Sequence, residues 1–181
     1  MTHGQIEAMT LATTIMVMKD GVVQQVGGPE AIYDSPANVF VAGFMGSPPM
    51  NLIPAVVEQQ DDRSLLVFGS GREPAVRLAL RNPVPKDKLQ SGRRVIFGIR
   101  PEAIGLGDQR PAGLDAGLVV LATEKTGSDL FVVSGLGGTS LTARLPVEMR
   151  VDEGDTIRLS FDPAKAACFD PDDGRLIHRF A

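Results

Sequence analysis

The sequence predicts a mainly β fold, a barrel or sandwich of short strands preceded by a short α/β segment. Three observations carry that expectation. The 20 glycines and 13 prolines are scattered along the 181 residues and not gathered into one tract, as a chain with many turns requires. After Asn51 the helical signal nearly vanishes, and short apolar runs alternate with turn signals at a spacing of about 8–12 residues, the pattern of a barrel or sandwich. Before Asn51 the chain reads as helix, hairpin, helix.

Gln5 to Ala12 places Ile6, Ala8, Met9, Leu11 and Ala12 at helical spacing without Gly or Pro, which predicts a short, mostly buried helix. Ile15–Lys19 and Val22–Val26 are β-prone runs separated by Asp20-Gly21, a pair suited to a two-residue hairpin turn because it tolerates positive φ. Pro29 stands at the first position of a predicted helix over Glu30–Tyr33, and Ser35-Pro36 opens another over Ala37–Phe44 that Gly46 ends. Ser47-Pro48-Pro49 is the plainest boundary, so the predicted units are residues 1–50 and 51–181. Strands are expected at Leu52–Glu58, Ser64–Phe68, Ala75–Leu80, Arg94–Arg100, Gly117–Thr126, Leu130–Ser134, Ser140–Leu145 and Thr156–Phe161. A shorter pair follows at Ala167–Phe169 and Arg175–His178.

Composition removes several function classes. Eighteen Lys and Arg against 22 Asp and Glu give a net charge of −4, and there is no Trp and no basic block, which argues against a nucleic-acid surface. One cysteine, Cys168, and two histidines cannot build an intrachain disulfide or a thiolate metal cluster, and the expectation is no bound metal. Apolar runs such as Leu118–Ala122 fall far short of the roughly 20 residues that span a bilayer, so the expectation is a chain that is neither membrane-spanning nor exported.

Longer motifs carry a family resemblance. Thr2-His3-Gly4-Gln5-Ile6-Glu7-Ala8-Met9-Thr10-Leu11-Ala12 resembles the segment around the switch histidine of ATP-binding-cassette (ABC) ATPases, in the carbohydrate-importer branch of MalK/UgpC type. The likeness continues through Gly21–Gly27 and Pro29–Tyr33 and is strongest from Pro36 to Asn51. Gly98-Ile99-Arg100-Pro101-Glu102, Glu124 with Gly127-Ser128-Asp129, and Phe161-Asp162 ahead of Phe169-Asp170-Pro171 resemble that branch's regulatory module, an OB-type (TOBE) barrel. The resemblance implies that residues 1–50 correspond to the end of an ABC nucleotide-binding domain and residues 51–181 to the TOBE/OB-fold regulatory domain. Met1 falls where the family has a strand residue, so the expectation is a truncated reading frame or an excised fragment. Gly4 and Thr13 depart from the acidic residues usual at those positions.

The same resemblance implies a role for His3, the γ-phosphate contact of the switch histidine, and cofactor binding there only within a complete ATPase domain. The sequence holds no glycine-rich loop ending in Gly-Lys-Ser/Thr, the element that cradles β and γ phosphates and Mg²⁺. No cofactor is therefore expected for this chain, whereas the full-length family uses ATP and Mg²⁺. Arg100 and Glu102, flanking a rigid proline, are ligand or partner candidates; a structural ion pair at a barrel corner is the favoured reading. Glu124, Ser128 and Asp129 surround a glycine turn and read as a solvated turn, with a regulatory contact as the alternative. Asp170, Asp172 and Asp173 lack the 12-residue loop and terminal glutamate of a calcium site and read as a β-turn. His178 reads as a strand residue and Cys168 as buried packing. Phe40, Val41, Phe44 and Met45 form an apolar face expected to lack its usual cover.

The function expected is regulation and dimerisation within the ATP-binding subunit of a carbohydrate or sn-glycerol-3-phosphate type ABC importer, without catalysis by this chain alone. The partners implied are a second copy, the importer's membrane subunits through the complete ATPase subunit, and a cytoplasmic regulatory protein; the location implied is cytoplasmic, peripheral to the inner face of the plasma membrane. A small-ligand or oxyanion-sensing barrel and one half of a split ABC ATPase are the competing readings.

Overall fold

The computed structural model describes residues 9–60, 63–69, 75–80 and 87–180. Of the helix expected over Gln5–Ala12, residues 9–11 are helical, and Gln5 to Ala8 lie outside the described residues. The hairpin forms from β1 (Ile15–Lys19) and β2 (Val22–Gly27), antiparallel and joined by Asp20 at φ 50° and Gly21 at φ 78°. Two successive residues in the left-handed region give the turn whose twist matches that of paired strands.

Helix α1 (Pro29–Asp34) starts on its proline, as expected. Helix α2 (Val39–Phe44) starts two residues later than predicted, because extended Asn38 caps it, its side chain accepting from the Val41 N–H at 3.0 Å. The hairpin's inner residues Ile15 and Val17 bury against Ile32, Val41 and Met45. This corrects the expectation of an uncovered face on α2: Val41 and Met45 are 0% and 2% exposed, and only Phe44, stacked on Phe40, is open at 45%. Uncovered apolar surface lies instead on the outside of the hairpin, where Met16 pairs with Val26 and Met18 with Val23, all four about half exposed or more; Leu11, Val119 and Leu121 are exposed as well.

The remaining strands are β3 (Asn51–Gln60), β4 (Arg63–Phe68), β5 (Val76–Leu80), β6 (Arg94–Ile99), β7 (Ile104–Leu106), β8 (Ala112–Gly113), β9 (Leu118–Lys125), β10 (Asp129–Leu136), β11 (Thr139–Pro146), β12 (Thr156–Ile157), β13 (Leu159–Phe161), β14 (Ala166–Phe169) and β15 (Leu176–Arg179). They form a six-stranded sheet in the order β15-β14-β6-β3-β4-β5, a four-stranded sheet β11-β10-β9-β12 and a three-stranded sheet β7-β13-β8. The mainly β expectation holds, with the large sheet curled as a half-barrel. Pro54 is tolerated inside β3 because β4 pairs only from Val56 onward, leaving one side of that stretch without a ladder. The single strand expected at Thr156–Phe161 is two, since β12 pairs with β9 while β13 pairs with β7 and β8.

Alternating residues of all three sheets meet in one core, threaded by Phe68, Phe97 and Phe161 in edge-to-face contact at 5.6 and 6.1 Å. A separate patch seats the first segment on the large sheet: Ala42 packs with Met50, Ala167 and Phe169. Gly98 permits that approach, because a Cβ there would lie 2.7 Å from the Phe169 ring and 2.8 Å from Met50 Sδ. Backbone bonds reinforce it, Val39 N–H to Gly174 O at 2.9 Å and Leu176 N–H to Ala37 O at 3.0 Å.

Candidate functional site at the joint

The chemistry-bearing residues gather where α1 meets the barrel. Arg100 follows β6 and is 4% exposed. One of its terminal nitrogens donates to the Met45 carbonyl and the other to the Tyr33 carbonyl at 2.6 Å, while the guanidinium carbon lies 3.7 Å from the Tyr33 ring centroid. Two accepting carbonyls at the C-terminal ends of α1 and α2 and one aromatic face suit a flat, weakly hydrated cation. Gly46, at φ +113°, makes room: a Cβ there would sit 2.9 Å from Arg100 Nη1 and 3.3 Å from the Tyr33 ring. Burial pulls the Arg100 guanidinium below its ordinary value, and Tyr33, Glu102 and Asp34 pull it back up. Its Nε is buried without a partner.

Glu102 stands in a one-turn 3-10 helix that starts on Pro101. Its Oε1 accepts from the Tyr33 hydroxyl at 2.6 Å, and burial together with that bond pushes the Tyr33 phenol up to about 12. Arg100 and Glu102 are thus brought together through Tyr33. The ion pairs among the described residues do not include one between them.

Asp129 and Ser128 form a second group on the β9–β10 hairpin. Arg144, on β11, donates to both Asp129 oxygens at 2.8 and 3.0 Å, and Ser128 Oγ donates to Oδ2 at 2.7 Å. The Arg144 fork and the Ser128 hydroxyl hold the Asp129 carboxyl below its ordinary value. Asp129 is the main cause that raises the Arg144 guanidinium, with smaller contributions from Glu102 and Tyr33, so the two groups feel each other electrostatically. Glu124 is exposed on β9 opposite Phe131 and joins neither group. His3 lies outside the described residues.

The other candidates are structural. Asp170 Oδ1 accepts from the Asp172 N–H and Asp173 Oδ1 from the Arg175 N–H, so these carboxylates cap their own turn. Among the described residues no group of three or more His, Cys, Asp or Glu is placed to hold a metal. Cys168 is fully buried, and burial pushes its thiol up to about 12. His178 is in β15, edge-on to Phe180.

Between α1 and the barrel lies a cleft of about 410 Å³ lined by Tyr33, Asp34, Met50, Arg100, Glu102, Lys165 and Arg179. Sequence reasoning missed Tyr33, Asp34, Lys165 and Arg179, because the pairs that bond here are far apart in the chain, Tyr33 and Glu102 by 69 positions and Arg179 and Ser35 by 144. It missed Arg144 too, although an acid and a base near the two ends of a predicted hairpin are a readable signal.

Comparison with known proteins accounts for the fold. A model of the MalK OB fold domain matches residues 46–104, and a TOBE domain model matches residues 97–175. The sulfoquinovosyl glycerol transport ATP-binding protein SmoE of Agrobacterium fabrum is 40% identical over 179 residues, 98% of this chain and 47% of that protein. The trehalose/maltose import ATP-binding protein MalK of Thermococcus litoralis is 40% identical over 180 residues, 97% of this chain and 47% of its own length. An uncharacterised ABC transporter ATP-binding protein of Sinorhizobium fredii, y4oS, is 41% identical over 177 residues, with 97% and 44% covered. The chain therefore spans about half the length of these relatives. The two matches overlap at residues 97–104, which hold Arg100 and Glu102, and the chain carries a MalK OB fold domain and a TOBE domain, with sugar-transport ATP-binding proteins of MalK and SmoE type among its relatives.

Proposed function

We propose that this chain is the regulatory and dimerisation portion of the ATP-binding subunit of a carbohydrate or sn-glycerol-3-phosphate type ABC importer, and that it does not hydrolyse ATP by itself. The observation that carries the reading is the match of residues 46–175 to the OB and TOBE models inside an alignment with sugar-transport ATP-binding proteins. In the whole subunit, ATP and Mg²⁺ bind elsewhere, His3 serves as the switch histidine, and the barrel meets its counterpart in a second copy. The subunit then works at the cytoplasmic face of the plasma membrane against the importer's membrane subunits, open to control by a cytoplasmic protein. The absence of a Gly-Lys-Ser/Thr loop from these 181 residues supports the non-catalytic part, because phosphate-cradling amides and a lysine are what the chemistry needs. Met16, Met18, Val23 and Val26 support the need for a partner, since exposed apolar residues in one patch favour association.

Light scattering on the purified chain is expected to give a dimer whose population rises with concentration, and a phosphate-release assay with Mg²⁺ and ATP is expected to stay at background. A monomer at every concentration defeats the dimer, and release that saturates with ATP defeats the non-catalytic reading.

A further inference from the structure

The cleft at the joint holds bonding capacity of both signs that the fold does not use. Lys165 is exposed at its rim, and none of the hydrogen bonds or ion pairs among the described residues engages its ammonium. Arg179 gives one nitrogen to Ser35 Oγ and keeps the rest of its fork. In the same lining, Glu102 gives Oε1 to Tyr33 and keeps Oε2, and the Asp34 carboxylate is exposed. Arg100 adds a fixed positive charge to the lining, and Met50 an apolar wall. A lysine and an arginine fork are the donors that take a compact anion, whereas two carboxylates accept hydroxyl pairs. The volume of about 410 Å³ is within the range of small-molecule sites.

We propose that this cleft binds a small polyhydroxylated molecule carrying one acidic group, a phosphate or a carboxylate, with Lys165 and Arg179 on the anion and Asp34 and Glu102 on the hydroxyls. The lining comes from α1 on one side and from the barrel on the other, so the ligand braces the joint. Binding therefore stabilises the folded chain, by an amount that grows with the logarithm of ligand concentration over its dissociation constant. The site lies within one chain and holds for monomer and dimer alike; it is independent of the oligomeric state, which light scattering decides separately.

Thermal unfolding and calorimetric titration of the 181-residue chain test this with four probes: glucose 6-phosphate, gluconate, glucose and inorganic phosphate. A rise in melting temperature together with a saturable calorimetric titration is expected with at least one of the two acidic polyols, which separates phosphate from carboxylate as the anion, and little response to glucose or inorganic phosphate at equal concentration. Lys165→Ala and Arg179→Gln each weaken that binding about tenfold, the loss of one charge-assisted hydrogen bond. Lys19→Ala, on the hairpin, leaves it unchanged. The proposal is overturned if neither acidic polyol gives a saturable calorimetric titration, if inorganic phosphate matches them, or if the Lys165 and Arg179 variants bind as well as the parent.

Discussion

A single phenol sets one side of the stability profile. The Tyr33 hydroxyl donates to Glu102 at 2.6 Å beneath the Arg100 guanidinium, and its pKa is raised from 10.0 to about 12, first by burial and then by that bond. A raised folded-state value means the folded chain holds the proton more tightly than the unfolded one, so this stability is complete below pH 10 and is lost as pH climbs through about 12. Cys168, raised from 9.0 to about 12 by burial, adds a loss of the same sign that begins lower. Urea unfolding midpoints are therefore expected to decline across the alkaline range, and Tyr33→Phe is expected to flatten the part of the decline above pH 10. An identical alkaline slope in that variant would show that the Tyr33–Glu102 bond does not set it.

Among the polar contacts that tie elements to one another, Asn51 makes three side-chain hydrogen bonds. From the first position of β3 its side-chain amide donates to the Ile99 carbonyl at 3.1 Å and the Thr142 carbonyl at 2.9 Å, and its oxygen accepts from the Thr142 N–H at 2.7 Å. It thereby joins the six-stranded sheet to β11. Asn51→Ala leaves those groups short of partners at a 7% exposed position, and a loss of about 2–3 kcal/mol in urea unfolding is expected. Elements with local causes were legible in the sequence: Asp20-Gly21 dictates the hairpin, and Pro29 starts α1. β7 and β8 were not, because they are three and two residues long and exist only where β13 offers a partner. The start of α2 was misplaced because a bridge between Asn38 and Arg175, far apart in sequence, holds Asn38 extended. The candidate site was half legible for the same reason. Arg100 and Glu102 carry a local motif, whereas Tyr33, 67 positions before Arg100, shows its part only once the chain is folded.

At the scale of the whole molecule, one core joins residues of the OB match to residues of the TOBE match, from Ile53 to Cys168. Two sequence families therefore share a single apolar interior. Residues 9–50 keep a small core of their own and rest on the large sheet through Ala42, Met50, Ala167 and Phe169. Cooperative loss of both parts is expected, because the Arg100 clamp and the α2 seat hold them together. Tyr33 is the one tyrosine and there is no tryptophan, so its emission reports the joint while far-ultraviolet dichroism reports the strands. The two melting curves are expected to coincide. A tyrosine transition at lower temperature would mean that the first segment detaches before the barrel opens.

The bonds between residues 37–39 and 174–176, with Arg179 on Ser35, also set a timetable. On the ribosome the hairpin and both short helices are made before the strands that hold them, and β15 follows the end of α2 by more than 130 residues. Ile15 and Val17 can already cover Ile32, Val41 and Met45, but Ala42 lacks its seat on Ala167 and Phe169 until then, and the nascent chain carries an open clasp that the arrival of β14 and β15 closes.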